Sequence, residues 1–359
     1  VLIGFYRLIF NGGDPMTRIR RNLIRALLSG DKSYWQLIRF QDDSLPKFEE
    51  ELNNLLTEGI VSTHDHHFSL TDKGIAIAAE EHLSAYVSPV CDACHGKTIL
   101  LKGPHENWSK QFQEITKDRP KAIKDYDQGY VITEDTIRRV TLIHRFGDLE
   151  NKDILIVGDD DLTSLALGIT GLPRKVKVLE VDKRLVEYIN KKAESLGFKN
   201  ISAELYDVQN PFREELCKSF DVFITDPVET IDGITLFLSR CVEGLRGEDS
   251  TGYFGLTHLE SSRKKWYAIQ KRLLEMGFVI TDIIRDFHEY DLDAEDLLTQ
   301  GFRVVTEAPV NVGAPDVYFY TSDYYRVYAV QELKPLITGT VVLSDELYYD
   351  DEAFVTAER

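Results

Sequence analysis

The sequence has little cysteine, few positive charges for its size and no long apolar run. Four cysteines in 359 residues are no framework of the kind that staples small secreted domains. A reducing, cytoplasmic setting is therefore expected. No apolar run approaches the roughly 18 residues that a membrane-spanning helix needs, so no membrane partner is expected. Val1 to Phe10 are apolar with one arginine, and they lack the basic start and small-residue cleavage site of a signal peptide. Lys plus Arg number 42 against 60 Asp plus Glu, a formal net charge of −18. Coating a phosphate backbone runs on clustered Lys and Arg, so no nucleic-acid partner is expected. The ordinary reading of the surplus is a solvated surface, but it also permits a cationic partner or substrate.

What is present is enough for a large core. Hydrophobic residues make up 43% and aromatic ones 11%, which excludes a disordered chain. The length suggests two or three domains. Residues 17–86 read as helices followed by a hairpin. Ile19, Leu23, Ile24, Leu27 and Leu28 recur at helical spacing, and Gly30 breaks that helix. Pro46 opens another, with Phe48, Leu52, Leu55 and Leu56 on one face, and Gly59 stops it. Two short strands around His64 to His67 complete a pattern that resembles a winged helix. The second helix carries Glu49, Glu50, Glu51 and Glu58, which a phosphate backbone would repel. A packing or dimerisation module is the expected role, and a homodimer the expected assembly.

Cys91-Asp92-Ala93-Cys94 is half of a zinc site at best, because structural zinc takes four ligands. No metal is expected. From about residue 150, short apolar strands alternate with helices. The expected fold class is α/β: a Rossmann-like, doubly wound, mostly parallel sheet. The expected domains are a winged-helix-like unit at 1–88, a connecting segment at 89–149, a catalytic domain at 150–335 and an acidic, mobile tail at 336–359. An aromatic strand over Val317–Val330 is expected near the sheet edge.

Four acidic features fall at strand carboxyl ends, where such sheets bind ligands. They are Gly158-Asp159-Asp160-Asp161, Glu180-Val181-Asp182, Asp207, and Asp226-Pro227-Val228-Glu229. Any one alone is an ordinary turn former or helix cap; four at one edge suggest a site. Glu180 lies 22 positions past Gly158, the spacing at which an acidic residue bonds ribose hydroxyls. Asp182 is the alternative for that role, and Asp207 suits an adenine amino group. The first turn is unusual. Phosphate-binding turns are glycine-rich so that backbone N–H groups reach an anion, yet here one glycine precedes three carboxylates. These disfavour a diphosphate and the carboxylate end of S-adenosylmethionine. They favour decarboxylated S-adenosylmethionine, which is cationic, as co-substrate, and a polyamine as acceptor. No tightly bound cofactor is expected.

At these residues the chain resembles a known family, the branched-chain polyamine synthases, or N(4)-bis(aminopropyl)spermidine synthases, of thermophiles. The resemblance is carried by Glu114-Ile115-Thr116-Lys117-Asp118-Arg119-Pro120, Tyr126-Asp127-Gln128, Gly158-Asp159-Asp160-Asp161, Ile224-Thr225-Asp226-Pro227, Gly252-Tyr253-Phe254-Gly255 and Glu260-Ser261-Ser262. It implies aminopropyl transfer to the secondary amine of spermidine, twice, with methylthioadenosine leaving. It implies a sheet of the class I methyltransferase and aminopropyltransferase type, and it places the catalytic carboxylate at Asp160. Substrate contacts are implied at Asp159, Asp161, Asp226, Glu229, Tyr126, Asp127, Gln128 and Glu260, and donor contacts at Gly158, Glu180, Asp182 and Asp207. Val228 stands where the family commonly has a second proline. Tyr130, Tyr253, Phe254, Phe287 and Tyr290 are candidate aromatic faces for a quaternary ammonium.

Two other readings compete: an S-adenosylmethionine-dependent amino methyltransferase, suggested by Asp226-Pro227, and a winged-helix ligand-sensing regulator. Calorimetry with both donors separates the first. Tighter binding of the decarboxylated donor is expected, and tighter binding of the carboxylated one would contradict the charge argument.

Overall fold

The computed structural model of the protein describes residues 16–123, 126, 128–342 and 345–356. The amino-terminal part runs α1 (Arg18–Leu28), β1 (Lys32–Ser33), α2 (Tyr34–Phe40), α3 (Leu45–Thr57), β2 (Val61–His64), β3 (His67–Leu70) and α4 (Asp72–Glu80). Local chemistry sets these bounds. The Thr17 side chain accepts the Arg20 N–H and caps α1, and Ser33 with Gln36 forms a capping box on α2. The three strands pair antiparallel in the order β1-β3-β2. Asp65 and His66 turn the β2–β3 hairpin with φ of 47° and 62°, the left-handed pair that fits the strand twist. Apolar periodicity does not predict α2. Tyr34, Trp35, Leu37 and Ile38 are all buried, and so apolar a run shows no clear polar face.

The acids of α3 divide: Glu50 and, at its end, Glu58 are exposed, whereas Glu49 and Glu51 turn inward. Glu49 and Glu51 are only 7% and 9% exposed. Glu51 accepts from Arg20 Nε at 2.6 Å, and Arg20 also reaches Glu58 at 2.6 Å. Glu49 accepts the Tyr34 hydroxyl in the core. An (i, i+3) pattern puts residues on one face but does not say which face is wet.

The second part begins with α5 (Pro104–Thr116) and α6 (Thr133–Arg145), which pack against the sheet assembly. Then come β4 (Asp153–Val157), α7 (Thr163–Thr170), β5 (Lys175–Glu180), α8 (Lys183–Leu196), β6 (Ile201–Leu205), β7 (Val222–Thr225), α9 (Ile231–Gly244), β8 (Thr251–Leu256), α10 (Arg263–Met276), β9 (Phe278–Glu289), α11 (Ala294–Thr299), α12 (Arg303–Thr306), β10 (Thr321–Ala329) and α13 (Asp345–Tyr348). The seven strands lie in the order β6-β5-β4-β7-β8-β10-β9. The first five in that order are parallel, and β10 is antiparallel to both neighbours. The α/β fold with a mostly parallel sheet is as expected. Every residue of β4 is buried, as a strand covered on both faces requires.

Strand β10 lies one place in from the edge, between β8 and the edge strand β9, so the aromatic strand is near the edge as expected. The chain turns from β9 and returns through 290–320 to insert β10 inside it. One expectation is corrected: the tail does not stand free. Leu347 is buried on α13, and Phe354 is 1% exposed within the amino-terminal core.

That core also takes in Leu259, Tyr290, Phe319, Tyr320 and Val355. The amino-terminal part therefore backs one end of the sheet's carboxyl edge. No helix among the described residues is long and apolar enough to cross a membrane.

Burial raises the Glu49 carboxyl to about 8, with Glu307 adding repulsion. The folded chain thus holds a proton that the unfolded chain has lost, and stability falls as pH rises from the ordinary Glu range through about 8. Glu49→Gln mimics the protonated form. Its melting temperature relative to the native chain is expected to climb between pH 5 and pH 8. A pH-independent difference would contradict this.

Candidate active site

A cavity of about 270 Å³ opens at the carboxyl ends of the parallel strands. It lies where strand order reverses between β4 and β7, the switch point at which such sheets bind ligands. One end is formed by Gly158, Leu179, Glu180, Tyr206, Asp207 and Val208, after β4, β5 and β6. The other is formed by Asp160, Asp226, Glu229, Tyr290, Tyr320 and Val355. Tyr126 and Gln128 also line it. Asp127 lies outside the described residues.

Gly158 leaves β4 with φ of 75°, a left-handed geometry that suits glycine. The next three carboxylates part company. Asp159 turns inward, where both its oxygens accept the Ser164 N–H at 3.3 and 3.2 Å and cap α7. Asp161 also turns inward: it accepts the Val131 N–H at 2.8 Å and pairs with Arg139 at 3.0 Å. Only Asp160 of the three faces the cavity. The contacts expected of Asp159 and Asp161 are thus replaced by capping and anchoring roles, because free N–H groups at the start of α7 and the Arg139 guanidinium claim them.

The Arg119 guanidinium donates to the backbone oxygen of Asp160 and stacks 3.6 Å over the Tyr130 ring. Burial pushes the Asp160 carboxyl well above the usual range, and Asp161, Asp226 and Glu180 push further, against Arg119. Asp226 differs. It accepts the Tyr290 hydroxyl at 3.0 Å and lies 3.4 Å from Arg139. Burial raises it to about 6, with Arg139 opposing. Gly255 makes room for it: a Cβ there would stand 2.3 Å from Asp226 Oδ1.

At the other end, Glu180 accepts the Asp159 N–H at 2.7 Å and the Asp182 N–H at 2.8 Å. It faces the cavity, as a ribose contact requires. Asp182 does not. It caps α8 through the Arg184 N–H and binds the Arg184 guanidinium and Gln128 Nε2. Asp207 lines the cavity and is held by the Gln209 N–H at 2.9 Å.

Glu260 is the largest departure from expectation. It is 1% exposed and does not line the cavity. It accepts the N–H groups of Phe354, Val355 and Thr356 at 2.5, 2.5 and 3.0 Å, and the Tyr320 hydroxyl at 2.5 Å. It therefore fastens the tail, whose Val355 and Thr356 are cavity wall. Lys265 with Asp350 at 2.9 Å reinforces the clasp. Of the candidate aromatics, Tyr290 lines the cavity, whereas Tyr253, Phe254 and Phe287 are core. Tyr206, Tyr320 and Tyr348 were not anticipated; nothing in the sequence separates them from the other tyrosines.

His258, Asp286 and Asp323 form the one cluster with metal-ligand spacing among the described residues. Arg285 lies 3.1 Å from Asp323 and Arg39 lies 3.9 Å from Asp286, so guanidiniums already balance both carboxylates. All four cysteines, Cys91 and Cys94 included, are free thiols.

Residues 107–355 match the model of the branched-chain polyamine synthase A C-terminal domain. The chain belongs to the branched-chain polyamine synthase family. It is 37% identical to the N(4)-bis(aminopropyl)spermidine synthase of Thermococcus kodakarensis, over 94% of this chain and 95% of that one. Identity to the synthase of the same name from Methanocaldococcus jannaschii is 36%, over 93% and 94% of the two chains. The crystal structure of the Thermus thermophilus branched-chain polyamine synthase superposes with a TM-score of 0.82 at 32% identity, covering 94% of each chain. That protein was crystallised with N4-aminopropylspermidine and 5'-methylthioadenosine.

Glu260→Gln keeps the size of the side chain and removes its charge. It is expected to expose residues 353–356 to limited proteolysis several times faster, with the sheet domain intact. An unchanged cleavage rate would contradict the clasp.

Proposed function

We propose that this synthase transfers aminopropyl groups from decarboxylated S-adenosylmethionine to the secondary amine of spermidine. The products are N(4)-aminopropylspermidine, then N(4)-bis(aminopropyl)spermidine, with methylthioadenosine released at each step. The observation that carries this reading is the cavity's charge, which sets Asp160, Asp226 and Glu229 at one end and Glu180 and Asp207 at the other. Such a lining attracts a sulfonium donor and a polycationic acceptor and repels a diphosphate or a carboxylated donor.

The donor's adenosine is assigned to the Gly158, Glu180 and Asp207 end, with Leu179, Tyr206 and Val208 as its apolar bed. The acceptor lies between Asp226, Glu229 and Tyr290. Its reacting nitrogen arrives protonated and has no lone pair. Asp160 takes that proton. The nitrogen then attacks the methylene carbon on sulfur, the C–N bond forms, and the C–S pair returns to sulfur as a neutral thioether. Asp160 gives the first proton up to solvent as methylthioadenosine leaves, and then takes the product ammonium's proton before the second transfer. That transfer makes a quaternary nitrogen, which carries no proton. A raised carboxyl suits proton acceptance here, because burial and the neighbouring Asp161, Asp226 and Glu180 favour its protonated form even with a cationic donor bound.

The helices and three-stranded sheet of the amino-terminal part support a winged-helix-like unit at 1–88 that packs rather than binds nucleic acid. Its shared core with Tyr290, Tyr320 and Val355 supports that role. Residues 89–149 lead into the Rossmann-like catalytic domain at 150–335, with α5 and α6 packed into that domain's core, and the clasped tail follows. The four free thiols suit a cytoplasmic setting, and sedimentation tests the homodimer. The tail's place in the cavity wall gives it a share in acceptor binding.

Asp160→Asn removes the proton acceptor but keeps the shape. Mass spectrometry of products from spermidine and decarboxylated donor is expected to show at least a roughly hundredfold loss of transfer, with methylthioadenosine binding retained. Near-normal turnover would remove Asp160 from this role.

A further inference from the structure

Behind Asp226 lies a closed chain of buried groups, of which only Tyr290 reaches the cavity used by the reaction above. Arg139 Nε donates to His288 Nε2 at 3.1 Å. His288 Nδ1 meets Ser322 Oγ at 2.9 Å, and Ser322 Oγ meets the Tyr290 hydroxyl at 3.0 Å. The Tyr290 hydroxyl reaches Asp226 Oδ2 at 3.0 Å, and Arg139 returns to the same oxygen at 3.4 Å. Arg139, His288, Ser322 and Tyr290 are all buried.

The donor directions follow from valence. A guanidinium only donates, so His288 Nε2 must accept. Burial, Arg139 and Lys97 keep this imidazole neutral, so its one proton sits on Nδ1 and points at Ser322. Ser322 Oγ is then an acceptor there, and its own hydrogen points at the Tyr290 oxygen. Tyr290 is left to donate to Asp226. Protonating Asp226 on that oxygen would reverse the last link and strand a buried donor.

We propose that Arg139, His288, Ser322 and Tyr290 form a one-way hydrogen-bonded circuit that keeps Asp226 an anion, so that it holds the acceptor's ammonium while Asp160 takes the proton. Two carboxylates in one cavity acquire different roles because only one has this circuit behind it. The proposal rests on the aminopropyl-transfer reading. The groups facing Asp226 are Arg139 from α6, Asp160 and Asp161 from the loop after β4, Tyr290 after β9, and Tyr324 from β10. Of these, Arg139 and Tyr290 bond it. In this role Ser322, His288 and Arg139 are positioning residues.

Ser322→Ala opens the circuit without altering the cavity lining. Initial rates with spermidine and decarboxylated donor are measured from pH 5 to pH 9 for the native chain, Ser322→Ala, Tyr290→Phe and the double variant. Ser322→Ala is expected to raise the KM for spermidine roughly tenfold near neutrality. The acid limb of kcat/KM is expected to move to higher pH, with methylthioadenosine affinity unchanged. The double variant is expected to lose little more than Tyr290→Phe alone, because both break one path. An unmoved acid limb, or a uniform loss of kcat at every pH, would overturn the circuit. Additive losses in the double variant would do the same. A native chain that makes no branched product would instead sink the aminopropyl-transfer reading itself.

Discussion

The site depends on a shortage of positive charge. Asp160, Asp226, Glu229, Glu180 and Asp207 line one cavity, and Arg139 is the buried cation set against its inner wall, between Asp161 and Asp226. Arg139, with Arg119 on the Asp160 backbone, holds the loop after β4 but does not neutralise the cavity. The remaining imbalance adds to burial in raising Asp160 and Asp226 above their usual range. A cationic donor and a polyamine supply what the protein withholds. Binding and catalysis then come from the same electrostatic deficit: it draws in the cations, and it leaves Asp160 the proton affinity needed to take the acceptor nitrogen's proton.

The scaffold serves this arrangement in particular ways. The strand order puts the ends of β4, β5, β6 and β7 along one edge, so the two ends of the cavity, proposed for adenosine and acceptor, follow one another along it. The absent Cβ at Gly255 leaves space for the Asp226 carboxylate. Glu260 gathers three backbone N–H groups of the tail and the Tyr320 hydroxyl, which completes the wall beside the acceptor. The amino-terminal part packs against Tyr290, Tyr320 and Val355 from behind.

Much of this was legible in the sequence. The β-α alternation after residue 150 pointed to the sheet, and the acidic residues at strand ends pointed to its functional edge. Orientation was not legible. Asp159, Asp160 and Asp161 are chemically identical neighbours, and only the open N–H groups of α7 and the position of Arg139 decide which one faces out. Asp182 and Glu260 went astray for the same reason: an acidic residue near a site can bind a ligand or tie down backbone, and spacing does not distinguish the two. Glu49 shows the converse, an acid counted as surface that lies in the core. The position of β10 and the docking of the tail depend on contacts between residues far apart in the chain, such as Glu260 with Phe354 and Ser33 with Asp316, and no local pattern encodes them.

The formal charge of −18 therefore has two components. Part is solvated surface, and part is a cavity lining kept short of cations. Proton linkage tests that division most directly. Spermidine is titrated calorimetrically at neutral pH into the protein with methylthioadenosine, in two buffers of different ionisation enthalpy. The account predicts net proton release from the native chain and its loss in Asp160→Asn. Equal proton exchange by the two proteins would contradict it.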